Sequence, residues 1–222
     1  MRTTIKATAE PAQLVLPDVQ LTADLTVPDD AVGVVLFAHG SGSSRASPRN
    51  RAVAEVLHRH RIATLLFDLL TEGEAMIDES TGHLRFDIAF LAKRLVGATD
   101  WIGTRALVAH LPVGYFGAST GAAAALVAAA ATPPEIVRAV VSRGGRPDLA
   151  GAALPRVRAA TLLIVGGNDR DVVRLNENAY SRLTCPKELV LVDRATHLFS
   201  EPGALEEVSR LAAEWFEHHL VQ

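Results

Sequence analysis

Continuous apolar runs alternate with helically spaced apolar positions along most of this chain, and their order sets the expected architecture. Residues 3–9 and 19–27 read as two strands joined by a turn at Pro17-Asp18. In the second, Leu21, Ala23, Leu25 and Val27 alternate with Thr22, Asp24 and Thr26, the period of a strand with one wet face. Pro28-Asp29-Asp30 ends it in a turn. Residues 32–38 are apolar apart from Gly33, as in a strand covered on both faces, and run into the small-residue loop His39-Gly40-Ser41-Gly42-Ser43-Ser44. Ala52, Val53, Val56 and Leu57 then recur at helical spacing within residues 50–61, and 62–67 is a second buried strand ending at Asp68.

Residues 69–85 are polar, contain two glycines and show no period, so an irregular segment or small flap is expected there. Helical spacing returns over 86–104 through Ile88, Phe90, Leu91 and Leu95, with a break expected near Gly97. The run beginning at Leu111 carries Tyr115 and Phe116 and reads as a buried strand; the alanine-rich residues 122–131 after it read as a helix. Further strands are expected at 136–141, 160–165 and 188–192, and helices at 175–183 and 204–220. An antiparallel start followed by alternating strands and helices predicts one α/β domain over residues 1–222, with helices on both faces of the sheet. Between 141 and 160, Gly144, Gly145, Pro147, Gly151 and Pro155 punctuate the chain and leave no room for a large cap.

Composition narrows the function classes. With 222 residues, 49% hydrophobic and 21% charged, the chain can bury a sizeable core and belongs with globular proteins. A net charge of -3 gives no electrostatic footprint for nucleic acid or an anionic membrane, so neither is expected as a partner. Cys185 is the sole cysteine, which rules out an intrachain disulfide, and no cysteine or histidine cluster suggests a metal; no cofactor is expected. The N-terminus lacks an apolar signal core and no run of about 18 apolar residues occurs, so a cytoplasmic location is expected.

The candidate chemistry lies where strands end. Gly117-Ala118-Ser119-Thr120-Gly121 is a G-x-S-x-G placed between strand and helix, the context in which the motif lifts a serine hydroxyl above the sheet. The turn is strained, and Gly117, Ala118 and Gly121 keep bulk away from it. Asp169 follows the strand at 160–165 after Gly166-Gly167-Asn168, and His197 follows the last strand. The order serine, acid, histidine at three strand ends supplies a nucleophile, a base and a group to orient the base. Asp171, two residues on, is the competing acid. Backbone N–H groups of Ser41 and Thr120 are the expected donors to a developing oxyanion, with Gly42 as second choice for the first. His39 is expected to brace the loop, not to act as base. Gly40, Gly42, Arg45 and Arg143 are candidate substrate contacts, since an arginine there would pair a substrate carboxylate bidentately. The alternative is that such arginines tie loops to carboxylates such as Asp68 or Asp148.

At these motifs, together with Ala195-Thr196-His197, the chain resembles the α/β-hydrolase superfamily, most closely the dienelactone-hydrolase-like group of small lidless serine hydrolases. The resemblance runs from Val32 to the C-terminal helix. It implies an eight-stranded, mostly parallel sheet and a Ser119–His197–Asp169 triad. Authentic dienelactone hydrolases carry cysteine where this chain has Ser119, so small soluble carboxylic esters are expected in place of dienelactone. Some relatives are fused to a phosphoribosyltransferase domain, and none is expected within these residues. Two other readings stay open: a non-catalytic binding or regulatory protein of the same fold, and an acyltransferase or thioesterase using the same triad. Monomer and homodimer are both compatible with the sequence.

Overall fold

The computed structural model describes residues 7–221. Eight strands form one sheet: β1 Ala7–Val15, β2 Gln20–Pro28, β3 Gly33–Ala38, β4 Ile62–Phe67, β5 Val113–Ala118, β6 Val137–Arg143, β7 Ala160–Gly166 and β8 Lys187–Val192. Their spatial order is β1-β2-β4-β3-β5-β6-β7-β8. β1 pairs with β2, and β2 with β4, antiparallel; every other neighbour is parallel. The first strand therefore runs to Val15, further than the expected 3–9, and residues 3–6 lie outside the described residues. Its Pro11 is tolerated because β1 is an edge strand, where an absent N–H breaks no second ladder.

Among the described residues six α-helices cover the sheet: α1 Pro48–Arg59, α2 Glu72–Thr81, α3 Ile88–Ile102, α4 Thr120–Ala131, α5 Arg170–Arg182 and α6 Ala204–Leu220. Alternation along β3 sends Val35 and Phe37 into a core beneath α1 and α6, and Val34, Leu36 and Ala38 into one shared with α3, α4 and α5. This two-sided burial is why the central strands read as unbroken apolar runs. Phe37 and Phe116 meet in the first core with ring centroids 4.9 Å apart. No helix among the described residues is long and apolar enough to cross a membrane.

Three expected elements change. Residues 69–85 contain α2, closed by a capping box in which the Thr71 hydroxyl accepts from the Glu74 amide and the Glu74 carboxylate accepts from the Thr71 amide. The helix shows no apolar period because Met76 and Ile77 face solvent and its sole buried residue is Asp78. α3 continues through Gly97, which packs against Leu16, while Leu95 and Ala98 on either side are buried; packing there outweighs glycine's poor propensity. α5 starts at Arg170, not near 175, its charged first turn masking the apolar spacing. Between β6 and β7, residues Pro147–Arg156 form 3-10 turns kinked at Gly151, and no large cap is present.

Candidate active site

Ser119 lies between β5 and α4 with φ 50° and ψ -120°, a region that side chains other than glycine's rarely occupy. The surroundings fix it there. Its N–H donates to the Arg143 carbonyl at 3.3 Å, and its carbonyl accepts from Ala122 N–H at 3.1 Å and Arg146 N–H at 3.0 Å. The turn also presses on the end of β3: a Cβ at Gly121 would stand 2.1 Å from the Ala38 carbonyl oxygen. At Gly117 it would stand 2.4 Å from Ala122 Cα. Both glycines of the motif are thus required by backbone approach.

His197 sits in the loop between β8 and α6, and its Nδ1 meets Asp169 Oδ2 at 2.7 Å. Asp169 is the residue before α5, its side chain 18% exposed. The two loops are stitched by backbone bonds of 2.9 Å from Gly167 to Val192 and from Asn168 to Ala195. They come so close that a Cβ at Gly166 would lie 2.5 Å from the Ala195 carbonyl oxygen. Asp171, 84% exposed, pairs with Arg174 and is not bonded to the imidazole. Ser119 Oγ forms no hydrogen bond among the described residues. Gly144 links the two sides: it follows Arg143, which receives the Ser119 N–H, and a Cβ on it would lie 3.7 Å from His197 Cε1.

Of the expected oxyanion donors, Thr120 N–H lies in the first turn of α4, where helix amides have no intrahelical acceptor. Ser41 N–H is engaged: it donates to Thr120 Oγ1 at 3.0 Å. That side-chain contact spans 79 residues of sequence and was not readable from the motif. His39 is buried between the ends of β3 and β4; its Nε2 accepts from Leu69 N–H at 3.1 Å and its Nδ1 donates to the Gly40 carbonyl at 3.0 Å. Both nitrogens are used by a neutral ring, and burial holds its pKa below the ordinary histidine value, so His39 braces the loop.

A cavity of about 760 Å³ opens beside the loop that follows β3, lined by Gly40, Ser41, Gly42, Thr120 and the α2 segment. Ser119 and His197 lie outside its wall. Arg45 lines it but is committed elsewhere: its N–H and Nη1 bond the two Asp68 oxygens at 2.8 and 2.6 Å. It therefore ties the loop after β3 to the end of β4. Arg143 is in another place. It ends β6 beside Ala118 and points to the α1–α6 face, 8% exposed, away from the cavity. Burial and the neighbouring Arg49 charge lower its pKa to about 10. In the cavity wall, Asp78 of α2 accepts from Leu84 N–H at 2.6 Å and from Arg85 Nε at 2.6 Å, latching the helix to residues 84–86. Thr71-Glu72-Gly73-Glu74 was the legible signal for that element; the Asp78 latch had none. Among the described residues no three His, Cys, Asp or Glu are placed to hold a metal.

No family model matches the chain. It is 59% identical to a crystal structure of dienelactone hydrolase from Anabaena variabilis, over 96% of this chain and 99% of that one, with a TM-score of 0.94. Est1E from Butyrivibrio proteoclasticus shares the fold at 15% identity and a TM-score of 0.78, over 96% of this chain and 99% of that one. Two Mycobacterium tuberculosis proteins, provisionally named phosphoribosyl transferases, are 56% identical over 211 residues, 95% of this chain and 46% of theirs. The chain thus spans about half the length of the curated relatives it matches. With a match of this identity along essentially all of both chains, and with the serine turn and strand order that the fold requires, the chain belongs to the dienelactone-hydrolase family of α/β-hydrolases.

Proposed function

We propose that this chain is a serine hydrolase of small soluble carboxylic esters. The observation that carries the reading is the Asp169–His197 bond at 2.7 Å beside a serine held at φ 50°. With Nδ1–H donating to Asp169, His197 Nε2 is the basic nitrogen. Ser119 Oγ attacks the ester carbonyl carbon as Nε2 takes its proton. The oxyanion is held by Thr120 N–H and by Ser41 N–H, which exchanges Thr120 Oγ1 for it. The tetrahedral species collapses, the alcohol leaves with the proton from Nε2, and an acyl-enzyme remains on Ser119. Water, deprotonated by Nε2, then cleaves it and returns the serine.

An open cavity of about 760 Å³ and the absence of a large cap favour small substrates over long acyl chains. The provisional name of the curated relatives describes proteins of which this chain spans 46%. This reading assigns any phosphoribosyl transfer to the remainder of those proteins, since serine, imidazole and carboxylate suit acyl chemistry.

Labelling with a fluorophosphonate followed by peptide mapping tests the proposal. One adduct on Ser119 is expected, absent in Ser119→Ala and lost in His197→Ala, with ester turnover falling by several orders of magnitude in Ser119→Ala. Folded protein that takes no label and turns over no short-chain ester would favour a non-catalytic binding role.

A further inference from the structure

Serine and threonine hydroxyls inside the helices of this chain follow one rule, and Thr120 departs from it. Ser80, Thr81, Thr99, Ser181 and Ser209 each donate to a carbonyl three or four residues back in the same helix. Thr120 is the first residue of α4, and three and four residues before it the chain is strand β5. Ser119 between them holds a non-helical φ of 50°, so no helical carbonyl stands behind the Thr120 hydroxyl. Among the described residues its side chain makes one hydrogen bond, with Ser41 N–H at 3.0 Å, and in that bond Oγ1 is the acceptor. A hydroxyl offers one donor besides its acceptor sites, and here the donor has no acceptor within the chain. Thr120 is 3% exposed, so this proton is withdrawn from bulk water, where an unmade hydrogen bond is costly.

The surroundings give that proton a use. Thr120 lines the cavity together with Gly40, Ser41 and Gly42. Gly40 abuts the nucleophile: a Cβ on it would stand 3.1 Å from Ser119 Cβ. The Gly40 carbonyl, in the same peptide group as Ser41 N–H, already accepts from His39 Nδ1 at 3.0 Å and from Ser43 N–H at 3.2 Å. Both its lone pairs are therefore taken. This peptide brings a donor to Thr120 and offers no acceptor in return. The reaction supplies one, because the ester oxygen that turns negative on attack by Ser119 comes to the Ser41 and Thr120 amides.

We infer that the Thr120 hydroxyl is a catalytic donor, a side-chain member of the set that holds the oxyanion alongside the two amides. The inference rests on the serine-hydrolase reading. Before attack, Oγ1 keeps Ser41 N–H in position. As the oxyanion forms, Ser41 N–H turns to it, and the hydroxyl rotates about Cβ–Oγ1 to donate to the same oxygen. The proton stays on Oγ1 throughout; only hydrogen bonds change partner. A bond to a charged oxygen is stronger than one to the neutral carbonyl of the ground state, so this donor acts on kcat.

Thr120→Val removes the hydroxyl and keeps the branched shape. With a short 4-nitrophenyl ester, kcat should fall about 10- to 100-fold in Thr120→Val, with KM within about twofold of wild type. Thr120→Ser, which keeps the hydroxyl, should recover most of that loss. The rate of fluorophosphonate labelling at Ser119 should fall in step, since the phosphoryl oxygen takes the place of the oxyanion and no deacylation is involved. The thionoester of the same acid separates a donor from a loop support, because sulfur accepts hydrogen bonds weakly. On it the Thr120→Val loss should shrink to about threefold or less, whereas a displaced loop slows both substrates alike. Should Thr120→Val not fold, Thr120→Ala enters the same comparison. Wild-type kcat in the valine variant, or equal losses on ester and thionoester, would overturn the hydroxyl and leave the hydrolase standing. Wild-type protein that takes no label and turns over neither substrate would overturn both.

Discussion

Replacing Asp169 by asparagine isolates the acid from everything else in the site. Asp169 makes no side-chain cap on α5, and its loop is held by backbone bonds, so the substitution leaves the local fold supported. What it removes is the charge facing His197 Nδ1 at 2.7 Å. A charge-assisted hydrogen bond contributes about 1.5–3 kcal/mol, or about 10- to 150-fold in rate if it is made fully only when the imidazole is protonated. The pair is partly open to solvent, with His197 40% exposed, which places this contribution toward the lower end. A second effect adds to it. The asparagine amide presents an N–H where the carboxylate presented an oxygen, so the ring turns its proton onto Nε2 and loses its basic nitrogen; with both effects the loss reaches about 10⁴. We expect kcat for a short 4-nitrophenyl ester to fall between about 10²- and 10⁴-fold in Asp169→Asn, with KM little changed. Asp171→Asn should leave kcat within about twofold, because Asp171 is 84% exposed and engaged with Arg174. Asp169→Asn retaining more than about a tenth of wild-type kcat, or Asp171→Asn losing as much as Asp169→Asn, would refute the assignment.

Two further expectations concern the scaffold. Gly121→Ala should not yield folded protein, since its Cβ meets the Ala38 carbonyl at 2.1 Å and the His39 carbonyl at 2.5 Å, both backbone; a wild-type melting temperature by circular dichroism would contradict this. For Asp78, burial pushes the carboxyl up, but the Arg85 guanidinium and the Leu84 and Arg85 amides outweigh it and hold the pKa below 3.8. A carboxylate lowered in the folded state adds stability above its unfolded value and loses it as pH falls through the folded one. The urea midpoint of wild type should therefore exceed that of Asp78→Asn at about pH 6, and the gap should narrow by about pH 3; a gap independent of pH would refute the ion pair as its source.

Much of the frame was legible because the central strands are covered on both faces, so Val34 to Ala38 had to be apolar throughout and Ile62 to Phe67 apolar but for Thr64, whose buried hydroxyl meets His58 Nε2 at 2.8 Å. The serine turn was legible because its glycines answer to backbone approach, a constraint that leaves a trace at fixed positions. α2 escaped because its inward-facing residue is the carboxylate Asp78, while its apolar Met76 and Ile77 face water; apolar period has no purchase on such a helix. The capping box at Thr71 and Glu74 was the surviving signal, and it was local. Gly97 misled in the opposite sense, since its lack of a side chain admits Leu16 and the helix runs on. The choice between Asp169 and Asp171 was argued from distance along the chain, and the structure separates them by side-chain partner: Asp169 bonds the His197 ring, and Asp171 turns outward to Arg174.

Side-chain pairing was the part that sequence could not carry, and the arginines show why. Arg45, Arg143 and Arg146 look equivalent on paper, each following a strand in a glycine-rich loop. Arg146 closes on Asp148, two residues away, with Nε at 2.9 Å and Nη2 at 2.8 Å, a contact the turn itself dictates. Arg45 reaches Asp68 across 23 residues because β3 and β4 are neighbours, which depends on strand order. Arg143 is turned by strand alternation onto the face beneath α1, where the approaching charge is Arg49. The first two are explained by partners within the chain: they tie loops and have little left to offer a ligand. Arg143 and Arg49 have no carboxylate partner among the described residues; Arg49 keeps part of its surface in water, and neither position announces the other along the chain.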